Sequence, residues 1–251
     1  MSSPPGTGVG PVAVVVPTYN ERDNIESIVS RVRAAVPDAD LLVVDDHSPD
    51  GTGEVADKLA AADSHVHVLH RAGKAGLGTA YIAGFRWALA RGYGAIVEMD
   101  ADGSHRPEEL PALLDALAQA DLVLGSRWIP GGTVRNWAKS RELLSRGANI
   151  YTRVMLGISV KDATGGYRAY RASTLQRIGL DGIESQGYCF QIDLVLRAIR
   201  AGLTVTEVPI TFVERVHGAS KMSRAIVTEA LWRVTVWGLT ARRGSSRTPG
   251  G

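Results

Sequence analysis

Asp100-Ala101-Asp102 sets two carboxylates two residues apart, a spacing from which a hard divalent cation could take one or both as ligands and bridge a diphosphate. Such a triplet alone is common by chance. A second acidic pair, Asp45-Asp46, precedes Ser48-Pro49-Asp50-Gly51-Thr52, which reads either as acceptors at a strand end or as a plain Asx turn. Basic residues gather in the second half of the chain, where they suit phosphates. Arg presents a planar fork matched to phosphate oxygens, and Lys a point charge. Arg141 shares a basic stretch with Lys139 and Arg146, so simple solvation would also account for it. Asp162 with Gly165-Gly166-Tyr167-Arg168 forms a loop that could clasp a sugar or a phosphate, although backbone turns need such glycines too. His105 and His217 each adjoin a motif but lack a second His at ligand spacing, and both are read as structural.

The elements that must carry these residues follow from apolar periodicity. Val12 to Val16 is a buried strand ending at Pro17, and Ile25, Ile28, Val29, Val32, Ala35 and Val36 lie on one face of the helix after it. Asp23 and Glu26 have the form of a capping box at that helix start. Leu41 to Val44, Val66 to Leu69, Ala95 to Met99 and Leu122 to Leu124 are further strands. Between them run a Gly-interrupted loop (Gly73, Gly76, Gly78), a helix through Ala80 to Ala90, and a helix opened by Pro107 that turns Leu110, Leu113, Leu114 and Leu117 inward. This alternation predicts an α/β fold with a mostly parallel sheet covered by helices on both faces. In such sheets ligands sit beyond the carboxyl ends of strands. Pro17-Thr18-Tyr19-Asn20-Glu21, Asp45-Asp46, Asp100-Ala101-Asp102 and Gly125-Ser126-Arg127 all stand at such ends, so four motifs converge on one site. Further helices are expected from Lys139 to Leu156 and from Gln191 to Ala201, with a loop from Asp162 to Arg168 between them.

Composition agrees with a globular chain: 251 residues, 45% hydrophobic and 22% charged, are enough to bury one sizeable core. The expected organisation is a loose leader over residues 1–11, one domain over 12–240 and a tail over 241–251, the domain divided into a nucleotide-sugar half over 12–127 and an acceptor half over 128–240. Residues 1–125 hold 9 Lys and Arg against 18 Asp and Glu, and residues 126–251 hold 19 against 8. The first balance suits metal and nucleoside contacts, the second phosphates or an anionic lipid surface. A single cysteine, Cys189, excludes an internal disulfide and a thiolate-only metal cluster, and is read as a core residue. Ile226 to Leu239 carries Trp232 and Trp237 but also Glu229 and Arg233. It falls short of the roughly 20 mostly apolar residues that cross a bilayer, and fits either a helix in the membrane interface or one packed on its own domain.

Taken in order, the motifs Pro17 to Glu21, Asp45 to Thr52, Asp100-Ala101-Asp102-Gly103-Ser104-His105 and Gly125 to Arg127 resemble those of family 2 glycosyltransferases. Arg215-Val216-His217-Gly218-Ala219-Ser220-Lys221 narrows the resemblance to the dolichol-phosphate and polyprenol-phosphate mannose synthases, over a span from Val12 to about Trp237. That resemblance implies a GT-A-like, Rossmann-type sheet with C-terminal amphipathic helices. It implies that Pro17, Tyr19, Glu21, Val44 and Asp46 surround the guanosine of GDP-mannose, and that Asp100, Ala101 and Asp102 handle the diphosphate and a Mg²⁺ or Mn²⁺ ion. It further implies that Arg215 and Lys221 reach the donor diphosphate, while Arg127, Arg141 and Ser145 hold the acceptor phosphate. Asp102 is the principal metal ligand expected. Archaeal relatives have a Gln ligand two residues beyond it, where this chain has Ser104, a shorter oxygen ligand that binds directly, through water or not at all.

The implied activity is inverting mannosyl transfer from GDP-mannose to a polyprenyl phosphate, with Asp102, Arg127 and Arg141 carrying the catalysis. A UDP-glucose-dependent transferase on the same lipid class is the nearest alternative, and a nucleotide-binding module without catalysis a more distant one. Expected partners are the donor, the lipid phosphate, the cytoplasmic face of a membrane and a membrane partner protein of the kind related synthases use, with no nucleic acid among them.

Overall fold

The computed structural model describes residues 9–183, 187–215 and 231–240. Alternating strands and helices open the chain: β1 (Val12–Thr18), α1 (Arg22–Ala35), β2 (Asp40–Asp45), α2 (Thr52–Ala62), β3 (Val66–His70), α3 (Leu77–Ala90) and β4 (Ala95–Glu98). A 3-10 turn at Pro107–Glu109 leads into α4 (Leu110–Leu117), then β5 (Leu122–Ser126), β6 (Thr133–Arg135) and α5 (Lys139–Leu156). The chain continues through β7 (Arg168–Arg171), α6 (Ala172–Ile178), α7 (Tyr188–Arg200), β8 (Val205–Pro209) and β9 (Thr211–Val213), and residues 231–240 are helical.

Seven strands form one sheet in the order β3-β2-β1-β4-β7-β5-β8, parallel except for β7, which runs antiparallel to both β4 and β5. β6 and β9 pair as a separate parallel ribbon. The strand pleat explains why the apolar runs are continuous rather than alternating. Ala13 and Val15 face one core with Tyr81, Phe85 and Phe190, whereas Val14 and Val16 face the other with Ile25, Leu113 and Leu117. Strand order reverses at β1, which lies between β2 and β4. Crevices beyond strand ends at such a reversal are where these sheets bind ligands.

Three expectations need correcting. The loose leader ends earlier than residue 11: Val9 is buried, and the Pro11 carbonyl accepts hydrogen bonds from the amides of Gly94 and Ala95. Residues 1–8 and 241–251 lie outside the described residues. The Asp23/Glu26 capping box does not form. Glu21 is the N-cap without a side-chain cap, and the amides of Glu21 and Arg22 donate instead to Thr52 Oγ1 at 3.0 Å and Asp50 Oδ2 at 3.1 Å. The turn after β1 is thus tied to the loop after β2, a tertiary substitute for a local cap. Lastly, Arg168 opens β7 rather than ending a loop.

Candidate active site

Beyond β1, β2 and β4 opens a cleft of about 420 Å³ lined by Pro17, Tyr19, Glu21, Asp46, Lys74, Asp100, Ala101, Asp102 and Arg215. Among the described residues expected to hold the donor, Val44 does not reach the cleft: its side chain is fully buried in the sheet core. The adjacent aspartates divide their work. Asp45 receives Thr18 Oγ1 at 3.0 Å and the Ser48 amide at 3.1 Å, a turn-forming arrangement. Asp46 faces the cleft, with Arg71 Nη1 at 2.5 Å and the Ala75 amide at 3.4 Å. These contacts hold the loop between β3 and α3, and from it Lys74 reaches to 4.2 Å above the Tyr19 ring, within cation–π range.

At the end of β4, the Asp100 amide donates to His105 Nδ1 at 3.1 Å, and Tyr81 donates its hydroxyl to Asp100 Oδ1 at 2.9 Å. His105 is buried, stacked on Tyr167 at 4.9 Å and edge-on to Phe212 at 5.5 Å. Burial pushes its pKa below the ordinary histidine value, so the ring is neutral and, with Nδ1 accepting, carries its proton on Nε2. It therefore shapes the Asp100-Asp102 turn, in keeping with the structural reading. His217 lies outside the described residues. Asp102 receives the Ser104 amide at 3.0 Å and pairs with Arg215 Nη2 at 3.1 Å.

This donor set fits a hard cation. Two carboxylates reach the cleft, and the Ser104 hydroxyl is buried without a hydrogen-bond partner. Among the described residues, no three His, Cys, Asp or Glu side chains are placed so as to hold a metal ion between them. The remaining ligands would then be substrate oxygens or water, the pattern of Mg²⁺ held by one or two carboxylates plus phosphates.

The arginines meet on the other side. Arg127 is buried and grips Asp162 twice, Nε to Oδ2 and Nη2 to Oδ1, both at 2.7 Å, with its amide on Oδ2 at 3.0 Å. Burial works to raise the Asp162 pKa, but the Arg127 charge and hydrogen bonds outweigh it and hold the carboxyl below the usual aspartate range. The loop from Asp162 to Arg168, read either as a clasp for a sugar or phosphate or as a backbone turn, is braced from within. Glu207 accepts the amides of Lys161 and Asp162, and Asn149 Oδ1 accepts that of Ala163. Arg168 spends its guanidinium on the carbonyls of Gly165, Ala163 and Gln191 at 2.7–2.8 Å. Arg141 lies 4.1 Å over the Trp137 ring and donates to Glu214 Oε1 at 2.5 Å.

Arg127, Arg141 and Ser145 line a second cavity of about 70 Å³, whose other walls include Trp137, Leu144, Ala148, Ile192, Leu231 and Val234. It lies among α5, the start of α7 and the 231–240 helix, and shares Arg141, Thr164 and Tyr188 with the larger cleft. Lys221 lies outside the described residues.

The sequence profile of glycosyl transferase family 2 matches residues 13–179. The chain belongs to that family. Among its relatives is polyprenol monophosphomannose synthase of Mycolicibacterium smegmatis, 58% identical over 236 residues, covering 93% of this chain and 89% of that protein. Undecaprenyl-phosphate mannosyltransferase of Micrococcus luteus is 59% identical over 231 residues, covering 92% of this chain and 95% of that protein. Among solved structures, glucosyl-3-phosphoglycerate synthase of Mycobacterium tuberculosis, in complex with Mn²⁺, UDP and glucosyl-3-phosphoglycerate, superposes with a TM-score of 0.65 at 23% identity. The match covers 98% of this chain and 83% of that one. The likeness is one of fold: this glycosyltransferase has the GT-A-like arrangement of a mostly parallel sheet flanked by helices.

Lys74, Trp137 and Tyr188, which line the two cavities, and Glu214, which pairs with Arg141, carry no sequence signal of their own. Lys74 sits in the glycine loop whose glycines alone drew attention. Trp137, Tyr188 and Glu214 belong to no motif in the sequence, and Glu214 meets Arg141 from 73 residues away.

Proposed function

We propose that this glycosyltransferase moves mannose from GDP-mannose to a polyprenyl phosphate with inversion at the anomeric carbon. The observation that carries the reading is the meeting of two unlike cavities at Arg141, Thr164 and Tyr188. One holds the strand-end carboxylates, and the other joins arginines to an apolar wall, as an anionic lipid requires. The names of the two mannosyl-transferring relatives support the same donor sugar and acceptor class.

The nucleoside is assigned to Pro17, Tyr19, Glu21 and Asp46, with Lys74 closing over Tyr19. Asp102, with Asp100 and Ser104, would hold Mg²⁺ or Mn²⁺, which supplies charge neutralisation for the departing diphosphate. Arg215 and Lys221 complete that role from the protein side. On the acceptor side, Arg127, aimed by Asp162, and Arg141, beside Ser145, orient the phosphate. A phosphomonoester with a second pKa of about 6 is largely dianionic at neutral pH, so its oxygen attacks the anomeric carbon while the bond to GDP breaks. No side chain is needed as general base, and positioning with charge stabilisation does the rest.

The membrane supplies the acceptor, and α5 is built to meet it. Its buried residues are polar, Asn149 and Thr152, whereas Leu143, Leu144, Ile150 and Val154 are exposed. The 231–240 helix is packed by Val234 and leaves Leu231, Trp232 and Leu239 exposed. No described helix is long and apolar enough to cross a bilayer. Attachment at the cytoplasmic face by these two helices, helped by basic residues on α5, is the arrangement that fits.

The test is transfer of radiolabelled mannose from GDP-mannose to a short polyprenyl phosphate, with Mg²⁺ or Mn²⁺ added and a UDP-glucose control. Metal-dependent lipid labelling from GDP-mannose alone is expected. Labelling from UDP-glucose alone would overturn the donor and leave the acceptor chemistry standing.

A further inference from the structure

Of the three side chains that line both cavities, two already make hydrogen bonds within the protein. Thr164 Oγ1 receives Arg127 Nη2 at 3.0 Å and Asn149 Nδ2 at 3.1 Å, and Arg141 donates to Glu214. The third, Tyr188, has a hydroxyl with no hydrogen bond to any described residue. Its position is nevertheless fixed. Tyr188 is the first residue of α7, set by Gly187 at φ 55° and ψ −128°, a left-handed conformation that side chains with a Cβ rarely adopt. The groups whose charge reaches it are Arg127, Arg141, Arg215 and Asp100. It therefore stands between the acceptor arginines and the donor carboxylates.

We propose that Tyr188 touches substrate, its hydroxyl donating a hydrogen bond to the acceptor phosphate at the point where the two cavities join. This rests on the acceptor reading above and assigns that site a contact beyond its arginines. Phosphate oxygens only accept, so every contact they make must be a donor. Arg127 and Arg141 each already neutralise a carboxylate, Asp162 and Glu214. A neutral O–H facing the junction adds a directed bond without further positive charge, and so helps aim one oxygen at the donor sugar. Burial, the dominant influence, raises the tyrosine pKa above its ordinary value, with the neighbouring arginines opposing. The group is therefore protonated at neutral pH and able to donate.

Tyr188→Phe keeps the ring and removes the donor. The expected result is a fall of about 10- to 100-fold in kcat/KM for a short polyprenyl phosphate, the range for losing a hydrogen bond to a charged group. KM for GDP-mannose and Kd for GDP, measured by calorimetry, should stay within about twofold of wild type. A wild-type kcat/KM for the lipid phosphate, or an equal loss in GDP binding, would overturn the role. Fluorotyrosine at position 188 gives a second readout that a merely structural ring would not move. Its lower phenol pKa should bring the alkaline loss of activity to lower pH, and an unmoved pH profile would also count against the proposal. If the unmodified protein labels no lipid, the acceptor reading itself fails; an active wild type with an indifferent Tyr188→Phe variant removes this role alone.

Discussion

Two carboxylate–guanidinium pairs stand a short way apart and differ in what their removal should do. Arg127 and Asp162 exchange three hydrogen bonds out of water. Losing one partner would strand a buried charge, which costs about 3–5 kcal/mol. Asp162→Ala should accordingly lower the unfolding free energy in urea by that amount and also weaken use of the lipid phosphate. Asp102 and Arg215 meet at 3.1 Å on the wall of the cleft, where Arg215 keeps about a fifth of its side chain exposed to water. Asp102→Ala should abolish mannosyl transfer yet leave the urea midpoint nearly unchanged. Arg141→Ala should raise KM for the lipid phosphate about 10- to 100-fold, the scale of a charged hydrogen bond, with GDP-mannose binding little affected. Glu98 is the residue whose pH behaviour is most telling. Fully buried opposite Arg168 in the sheet, it has its pKa pushed up from 4.5 to about 7 by burial, with Arg168 opposing. The folded protein then binds more protons than the unfolded chain between those values, so stability falls as pH rises through that window. Glu98→Gln should flatten the decline in Tm between pH 5 and pH 8, and an equally steep decline in the variant would show the cause to lie elsewhere.

The helices sit where the sheet lets them, and α3 is the closest case. A Cβ on Gly84 would lie 2.3 Å from Val15 Cγ1, so the helix rests on β1 with no room for a methyl group. Gly84→Ala gains helix propensity but must push α3 off the strand, and a net loss of about 1–3 kcal/mol is expected from overpacking, read by chemical denaturation. Periodicity in the sequence identifies this helix and the strand beneath it, and α5 is predicted residue for residue. Strands buried on both faces give unbroken apolar runs, which is why β1, β2, β4 and β5 are readable, while the edge strand β3 instead interleaves apolar residues with histidines. β7 is not readable, because it has four residues and opens with Arg168, whose charge is buried among carbonyls. β6 and β9 have three residues each, too few for a period to register. The site divides similarly. Asp100, Asp102 and Tyr19 are visible at strand ends, whereas the tasks of Asp162 and Glu214 exist only through contacts the folded chain creates.

At the scale of the whole molecule, the exposed apolar side chains are gathered rather than scattered. Among the described residues every large exposed hydrophobic except Leu77 lies on α5 or the 231–240 helix, two helices joined by the Tyr151–Thr235 hydrogen bond, and apolar surface gathered in this way marks a contact surface. Leu143→Glu combined with Val154→Glu should reduce co-sedimentation with vesicles containing anionic lipid while GDP binding by calorimetry is retained. Unchanged sedimentation would move the membrane contact off α5. The sheet order carries a different consequence, for synthesis rather than catalysis. β4 and β5 never touch; the place between them belongs to β7, and the outer edge of β5 to β8. A nascent chain that has released Ser126 from the ribosome thus holds five strands but cannot join the fifth to the other four. Closure waits for Arg171, and the last edge for Pro209. Until then the growing chain offers open strand edges to its neighbours, the feature through which partly made sheets pair with one another.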